Sequence, residues 1–182
     1  SEDIYNISMK ELKEFAEILK DSAQNLYQLL ENLLEWALMQ KESKPFNPDI
    51  INLFMIADKN ADIYSAKSSD KDLSIVVHIS KEIEVTADAN MLNGILRNLI
   101  SNAGKFTPEG GTITISAAEF DDFIEISVSD TGIGMSPDLL SKLFALGEKT
   151  SRPGTSGESS TGLGLILCKE YVEKHGGRIW AE

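Results

Sequence analysis

The chain has 182 residues, of which 42% are hydrophobic and 25% charged, so we expect one soluble globular domain or two small ones. Seventeen basic residues against 29 acidic ones give a formal net charge of −12, which argues against nucleic acid or an anionic membrane surface as the main partner. The single cysteine, Cys168, cannot form an internal disulfide bond and fits a reducing compartment. The sequence has no run of about eighteen apolar residues and no signal-peptide pattern. We therefore expect a cytoplasmic segment without direct membrane contact, although a parent protein could carry membrane spans elsewhere.

Residues 8 to about 40 are predicted to form one long helix. Ser8 and Glu11 have the spacing of a capping box, and Ile7 and Leu12 that of the accompanying hydrophobic staple. A large apolar side chain left in water forfeits about 1.5–3 kcal/mol, so this helix needs a partner: another chain, a missing segment or the following domain. Its apolar positions alternate spacings of four and three, as in a heptad seam, at Leu12, Ala16, Leu19, Ala23, Leu26, Leu30, Leu33 and Ala37. A second apolar row, at Phe15, Ile18, Leu29 and Trp36, makes the face wider than a two-stranded seam requires.

Pro45 and Pro48 end the long helix and mark a boundary in the chain. The next stretches carry short β-branched runs and one longer apolar stretch. They predict an edge strand at residues 46–53, a helix at 53–66, a polar connection at 65–72, and a hairpin made of strands 73–79 and 83–86.

A helix that carries two asparagines follows, with Asp88 as its N-cap. Asn98 and Asn102 are four residues apart and share one face, and Lys105 lies three residues further on. Amide oxygens can ligate a hard cation and an ammonium can bind phosphate, although a plain solvated face is the alternative interpretation. The neighbouring stripe is apolar and predicted to be buried, at Leu92, Ile95, Leu96, Leu99 and Ala103.

Strands at 112–116 and 123–128 alternate with period two and predict an antiparallel pair with one buried face. The second strand leads directly into the sequence Asp130-Thr131-Gly132-Ile133-Gly134-Met135. Glycines there would let the backbone approach a planar ligand, and a buried carboxylate could accept a hydrogen bond from an exocyclic amine. A plain turn is the alternative, whereas an aspartic protease needs two such aspartates and the chain supplies one.

The last third of the chain is predicted to contain a short helix, a loop and a final helix. The short helix begins at Ser136 or Pro137 and runs to about residue 144; the loop at 145–160 has little to bury and should be mobile without a ligand. Gly162 and Gly164 open the final helix, where free N–H groups can form an anion site. The helix should stop at residues 176–177 and a strand should begin at 178–181. Outside these motifs, His78 and His175 are predicted to be structural or solvent-facing rather than catalytic, and Cys168 to belong to the core.

Four motifs in this order resemble those of one protein family. Residues 98–106 resemble its N box, 130–135 its first glycine box, Leu143-Phe144 its F box, and 161–165 its second glycine box. Together they are similar to the catalytic ATP-binding domain of two-component sensor histidine kinases, within the wider GHKL ATPase group, over about residues 46–182. The resemblance implies an α+β fold, a two-layer α/β sandwich with a mixed, mostly antiparallel sheet covered by helices on one face. Residues 1–44 would then be one long helix of an incomplete dimerisation bundle, and 45–182 the catalytic domain with truncated C-terminal strands.

The resemblance also implies a role for each matched residue, with ATP and Mg²⁺ as cofactors. In the N box, Asn102 would ligate Mg²⁺, Asn98 would support the polyphosphate and Lys105 would contact phosphate, so these three form the catalytic set. Asp130 would accept the adenine amino group, with Phe106 flanking adenine and ribose and with Gly132, Ile133, Gly134, Met135 and Phe144 shaping the base pocket. Thr161, Gly162, Leu163, Gly164 and Leu165 would anchor a closing lid, from which Lys149 or Arg152 would reach the γ-phosphate.

The implied partners are a second copy, through the N-terminal helix of the parent protein, and a response regulator receiver domain. The chain departs from the family pattern in lacking the phosphoacceptor histidine followed by an acidic residue, so we do not expect it to phosphorylate itself alone. Ser160 and Gly104 also depart from the usual residues of their boxes, the latter at a cost of roughly 0.5–1 kcal/mol relative to Ala.

Two alternatives remain open at this point. A GHKL ATPase that hydrolyses ATP would carry a catalytic Glu in the N-box helix, but residues 91–104 contain no acidic residue. A binding-only module without kinase activity, either a pseudokinase or a dimer-forming signalling adaptor built on the heptad helix, is the second alternative. The intact Asn102, Asp130 and both glycine boxes count against a loss of nucleotide binding.

Overall fold

The computed structural model describes residues 8–40, 45–67, 71–145, 152–156, 158 and 162–182. Its elements in chain order are α1 (Met9–Gln40), β1 (Asp49–Asn52), α2 (Leu53–Lys67), β2 (Ser74–His78), β3 (Glu84–Ala87), α3 (Ala89–Phe106), β4 (Thr112–Glu119), β5 (Ile124–Asp130), α4 (Pro137–Lys142) and α5 (Gly164–Lys174). Among the described residues, none of these helices is both long and apolar enough to cross a bilayer.

The strands form two sheets against which the helices pack. Strand β2 pairs in parallel with β4, which pairs antiparallel with β5, while β1 and β3 form a separate antiparallel pair. Helices α2 and α3 bury their apolar faces against the three-stranded sheet, where Ile113 and Ile115 of β4 are fully buried. The predicted α+β class with mixed, mostly antiparallel pairing is therefore confirmed, as is the antiparallel pairing of the strands at 112–116 and 123–128.

The predicted hairpin of residues 73–79 and 83–86 is wrong. Both segments are strands, but β2 pairs with β4 and β3 pairs with β1. Ile79 and Ile83, which flank the connecting turn, are both buried in the same core. The turn packs against that core, and the strands before and after it belong to different sheets. Period-two alternation reports which face of a strand is buried but not which strand lies beside it.

Two predicted strand boundaries also need correction. The edge strand at 46–53 is confined to Asp49–Asn52, because Pro48 precedes it and Leu53 already belongs to α2. No strand is present at 178–181 in the described part of the chain. There the Arg178 guanidinium instead lies 5.0 Å from the centre of the Trp180 ring.

Helix α3 is buried on two sides and begins at the predicted cap. The Asp88 carboxylate accepts hydrogen bonds from the Asn90 and Met91 N–H groups at 3.0 and 3.1 Å, and from that of Asn47 at 3.0 Å. One face of the helix packs on α2 and the sheet, and the adjacent face packs on α5 through Met91 and Ile95. The remaining stripe of α3 is the part that can carry polar side chains toward a ligand.

Helix α1 confirms the predicted capping box but leaves most of its apolar face in solvent. The Ser8 N–H donates to Glu11 Oε2 at 2.8 Å and the Glu11 N–H to Ser8 Oγ at 3.2 Å; Ile7 of the predicted staple lies outside the described residues. Toward its C-terminal end, α1 packs Trp36 and Met39 on the α5 core. The rest of the seam is 46–70% exposed, at Leu12, Leu19, Leu26, Leu30 and Leu33.

His175 and Cys168 are structural, as predicted. The Asp88 N–H donates to His175 Nε2 at 3.0 Å, and Nδ1 lies 2.7 Å from the carbonyl oxygen of Tyr171, so a neutral ring with its proton on Nδ1 satisfies both contacts. Cys168 is fully buried, and burial raises the pKa of its thiol to about 12. Helix α5 stops at Gly176, whose φ of 74° fits the predicted glycine stop.

We expect Asp88→Ala to lower the free energy of unfolding by about 1–2 kcal/mol, because the first turn of α3 loses its cap. Burial raises the pKa of Asp88, but hydrogen bonds from Asn47, Met91 and Asn90 outweigh it, so the net pKa lies below the ordinary value. The contribution is therefore present above the ordinary pKa of about 4 and is lost as pH falls through the lower folded-state pKa. Urea denaturation at several pH values measures it. Asp121→Ala, in the exposed β4–β5 turn, is the control; equal stability of the two variants near pH 7 would contradict the prediction.

Candidate functional site

A wide groove of about 1670 Å³, here called the cavity, passes the polar stripe of α3 and gathers most of the predicted site residues; it also extends along β3, β5 and residues 175–182. Those that line it are Asn98, Asn102, Lys105, Phe106, Asp130, Gly132, Gly134, Met135, Phe144, Arg152, Gly162, Gly164 and Leu165. Ile133 and Leu163 belong to the same glycine-containing stretches but do not line the cavity. Lys149, Thr161 and Ser160 lie outside the described residues, as does most of the loop that was predicted to be mobile.

Asn98 connects α3 to the beginning of α5. A Cβ atom placed on Gly164 would lie 2.9 Å from Asn98 Oδ1, so the absence of a side chain at Gly164 permits this contact. The Asn98 side chain also acts on Cys168, one turn further along α5, where it lowers the pKa of the thiol against the larger effect of burial. The asparagine motif on α3 and the second glycine stretch before α5 are about 60 residues apart in sequence, and they are in contact here.

The beginning of α5 borders the cavity, which Gly162, Gly164 and Leu165 line. Gly162 has a φ of 73°, which an L-residue rarely adopts, and this turn leads into the helix. Leu163 occupies the N-cap position and has no side-chain atom that could accept a hydrogen bond from the first turn. Uncapped N–H groups at the positive end of a helix favour an anion.

Lys105 is a charged residue of the site that is buried, which is unusual for a lysine. Its side chain is 7% exposed, and its Nζ atom has no hydrogen-bond partner in the described structure. The nearest aromatic ring is that of Phe106, with its centre 5.2 Å from Nζ. Burial lowers the pKa of Lys105, the Glu158 carboxylate partly offsets this, and the positive charge of Lys71 lowers it further. A buried ammonium without a partner is costly, so this position fits an anionic ligand group.

The first glycine stretch is fastened to the C-terminal end of α3. The Gly132 N–H donates to Asp130 Oδ1 at 2.8 Å, and the Ile133 N–H donates to the Phe106 carbonyl oxygen at 3.1 Å. A Cβ atom on Gly132 would lie 2.5 Å from that same carbonyl oxygen, so only glycine fits. Gly134 follows with a φ of 63°.

Asp130 is exposed, so the prediction of a buried carboxylate is wrong. The last two residues of β5 extend past the core-facing part of the sheet, and both are exposed. The carboxylate still lines the cavity, and its hydrogen bond from Gly132 fixes its orientation. Asp130 can therefore accept a further hydrogen bond from a ligand without being desolvated in advance.

Arg152 lies beside the first glycine stretch. Its Nη2 atom donates to the Gly134 carbonyl oxygen at 2.8 Å, and its guanidinium lies 4.6 Å from the centre of the Phe106 ring. The Phe106 ring thus has a cation on two sides, Lys105 and Arg152. Despite the net charge of −12, the charges around this end of α3 include several cations.

Sequence reasoning missed Tyr64 and Lys71, which both contact the C-terminal end of α3. A Cβ atom on Gly104 would overlap the Tyr64 ring, which explains the unusual glycine in the asparagine motif. The Lys71 ammonium donates to the carbonyl oxygens of Gly104 and Lys105 at 3.0 and 3.1 Å. Both residues lie in segments without a motif, so only their tertiary contacts identify them.

Comparisons with known proteins agree with this geometry. A family model described as histidine kinase-, DNA gyrase B-, and HSP90-like ATPase matches residues 87–182. Sensor protein SrrB of Staphylococcus aureus (strain MRSA252) is 32% identical over 169 residues, which cover 93% of this chain and 29% of SrrB. The chain thus spans less than a third of the length of that relative.

Solved structures share the fold. The catalytic domain of histidine kinase ThkA superposes with a TM-score of 0.64 at 25% identity, covering 75% of this chain and 86% of that one. Full-length ShkA in complex with AMPPNP has a TM-score of 0.72 at 24% identity, covering 94% of this chain and 35% of ShkA. ThkA in complex with response regulator protein TrrA has a TM-score of 0.74 at 22% identity, covering 98% of this chain and 49% of that one.

The matched region begins at the strand residue before the α3 cap and includes the asparagine stripe, both glycine stretches and α5, which together enclose the cavity. The chain therefore belongs to the family of histidine kinase-, DNA gyrase B- and HSP90-like ATPases and contains an ATP-binding domain of the sensor histidine kinase type.

Proposed function

We propose that this chain binds ATP with Mg²⁺ in the α3 cavity and transfers the γ-phosphoryl group to a histidine supplied by another segment, for relay to a response regulator receiver domain. The observation that carries the proposal is the buried ammonium of Lys105, which has no hydrogen-bond partner among the described residues and lines the same cavity as Asp130 and the first turn of α5. A nucleotide triphosphate offers an amine for Asp130 and anionic oxygens for Lys105 and the α5 N–H groups.

Adenine fits the end of the cavity at the first glycine stretch. Asp130 would accept a hydrogen bond from the exocyclic amine, and a flat ring would lie close to the backbone beside Gly134, where a side chain would meet open space. Phe106 would flank the ring and the ribose. Asp130 would select an amine-bearing base over one that presents a carbonyl at the same position.

The phosphates fit the end of the cavity between Lys105 and α5, where Asn98 and Asn102 add neutral amide oxygens. Among the described residues there is no group of three His, Cys, Asp or Glu side chains that could hold a metal by itself. Amide oxygens suit Mg²⁺ that is already bound to phosphate oxygens, because such an ion takes only one or two ligands from the protein. Asn102 would be that ligand, and the metal would neutralise charge on the transferring group.

The transfer would depend on positioning and charge stabilisation rather than on a protein base. Residues 91–104, which include the middle of α3, contain no acidic side chain to activate water, so transfer to an acceptor is favoured over hydrolysis. Both ring nitrogens of His175 are in hydrogen-bond contact, with the Asp88 N–H and the Tyr171 carbonyl oxygen, which disfavours this residue as the phosphoryl acceptor. The acceptor histidine would come from outside this chain.

We further propose that residues 1–44 contribute a helix to a dimerisation bundle and residues 45–182 form the catalytic domain. The exposed apolar seam of α1 supports this, because a wide apolar stripe in water needs further helices to cover it. A response regulator as the final partner is proposed by analogy with ThkA, which was solved in complex with one.

The test is to incubate the chain with Mg²⁺, γ-labelled ATP and a separately made helix that carries a histidine followed by an acidic residue. We expect acid-labile label on that helix and none on the chain itself, since phosphohistidine is hydrolysed by acid. Label in inorganic phosphate alone would support an ATPase, and ATP binding without any transfer would support a nucleotide-binding module.

Asn102→Ala should remove the Mg²⁺ dependence of ATP binding and reduce transfer at least about tenfold, because it deletes the proposed ligand. Asn90→Ala is the matched control, since Asn90 lies on the same helix but does not line the cavity. Equal effects of the two variants would contradict the metal assignment.

Asp130→Asn should weaken ATP binding by about 10–100-fold while sparing the fold. The asparagine oxygen can still accept the hydrogen bond from Gly132, but the charge-assisted bond to the base is lost, which is worth about 1.5–3 kcal/mol. Calorimetry gives the affinity, and Asp138→Asn on α4 is the control. Unchanged ATP titration in Asp130→Asn would remove the residue from this role.

Lys105→Met should make the protein more stable without nucleotide, by about 1–3 kcal/mol, because a buried unpaired charge is replaced by an apolar chain of similar length. The same variant should bind ATP more weakly than the unmodified chain, while its affinity for adenosine stays unchanged.

The stability difference should also depend on pH. Burial lowers the folded-state pKa of Lys105, so the charged ammonium destabilises the fold by the full amount at pH values below that pKa. This destabilisation becomes smaller as pH rises toward the ordinary pKa of 10.5. Urea denaturation across pH, with calorimetry, measures both effects. A less stable variant with unchanged ATP affinity would contradict this account.

A further inference from the structure

Residues 152–156 and 158, here called the strap, lie across the C-terminal end of α3. The Thr155 N–H donates to the Lys105 carbonyl oxygen at 3.0 Å, and the Thr155 hydroxyl donates to the Thr107 carbonyl oxygen at 3.1 Å. A Cβ atom on Gly154 would lie 2.6 Å from Lys105 Cγ, so the strap backbone rests directly on the Lys105 side chain. The strap therefore contributes to the burial of the Lys105 side chain.

The Lys71 ammonium joins the strap to α3. Its Nζ atom donates to the carbonyl oxygens of Gly104 and Lys105, and also to Thr155 Oγ1 at 2.8 Å. It forms an ion pair with Glu158 Oε1 at 2.5 Å. The Lys71 side chain is only 12% exposed, and its positive charge sits at the carbonyl end of α3, where a cation is stabilised.

The backbone of Lys71 is held independently of the strap. Its carbonyl oxygen accepts a hydrogen bond from the Gly110 N–H at 3.1 Å, and the next residue, Asp72, has a φ of 47°. The Ser74 N–H then donates to the Gly111 carbonyl oxygen at 2.9 Å as β2 begins. Lys71 is thus presented by the turn before the sheet, and its side chain is in place for the strap to dock on.

Glu158 pairs with Lys71 although Lys105 is also near. Burial raises the pKa of Glu158, but the hydrogen bond from Lys71 and those from backbone N–H groups lower it further than that, so the carboxylate stays charged. The Glu158 charge also acts on Lys105. Because Lys71 takes the carboxylate, the Lys105 ammonium remains available to a ligand.

We propose that Lys71 is a positioning residue that fastens the strap over Lys105 and, by engaging Glu158, keeps the Lys105 ammonium available for the phosphate chain of a nucleotide. This inference rests on the proposed function, because it assigns the phosphate end of the cavity to Lys105. Lys71 itself does not line the cavity, so it would act through Lys105.

The contact between Lys71 and the strap is tested without nucleotide by amide hydrogen exchange on Lys71→Met. This variant has a side chain of similar length but no charge. The amides of Gly154, Thr155 and Ser156 should exchange at least about tenfold faster than in the unmodified chain, while those of Leu96 and Ile100 in the α3 core stay unchanged. Lys71→Arg should restore protection, because it keeps the charge. Unchanged exchange of the strap amides in Lys71→Met would overturn the proposal.

The effect on the ligand is tested by calorimetry with ATP, ADP and adenosine. Lys71→Met should weaken ATP and ADP about tenfold and leave adenosine unchanged, whereas a general loss of structure would weaken all three. Glu158→Gln is a second variant, in which Lys71 can still donate to the carbonyl oxygens of Gly104 and Lys105 but has lost its ion pair. The strap amides should exchange faster in this variant too. Lys169→Met, which breaks an exposed ion pair with Glu173, is the control.

If Lys71→Met lost affinity equally for adenosine and ATP, or lost affinity for neither, the role of Lys71 in phosphate binding would be overturned. Failure of the unmodified chain to bind ATP would instead overturn the proposed function and, with it, the effect on affinity. Hydrogen exchange would in that case still decide whether Lys71 fastens the strap, so the two failures are distinguishable.

Discussion

Helix α3 is buried on two adjacent faces, and this constraint determines where a ligand can bind. Leu92, Leu96 and Ile100 pack toward α2 and the sheet, and Met91 and Ile95 pack toward α5. The remaining polar stripe of the helix is therefore held in a fixed position beside the cavity. A helix packed in this way presents its side chains more precisely than a loop could, which suits a site that works by positioning.

The C-terminal end of the same helix combines several costs that a purely structural helix would avoid. Lys105 is buried and its ammonium has no hydrogen-bond partner in the part of the chain that the structure describes, and Gly104 lowers the helix propensity but leaves space for Tyr64. Lys71 offsets part of this by capping carbonyl oxygens at that end. Proteins commonly give up stability at the groups that bind a ligand and recover it in the surrounding contacts, and this helix end follows that pattern.

Helix α1 packs against α5 in the described part of the chain. Near the C-terminal end of α1, the Tyr171 hydroxyl of α5 donates to Glu35 Oε2 at 2.6 Å, beside the packed Trp36. Helix α5 packs on α3 within the same cluster and begins at the glycines that line the cavity. Helix α5 therefore links α1 to the cavity.

The sequence by itself determined the features that depend on local chemistry. The ends of α3 and α5 follow from Asp88 and Gly176, the buried stripe of α3 follows from its spacing, and the motif order gives the family. Tertiary structure decided what depends on partners distant in the chain: the separation of β2 from β3, the exposure of Asp130, and the contact of Lys71 with the strap. The physical reason is that periodicity and caps report the state of one segment, whereas sheet pairing, burial and ion pairs depend on which other segment arrives beside it.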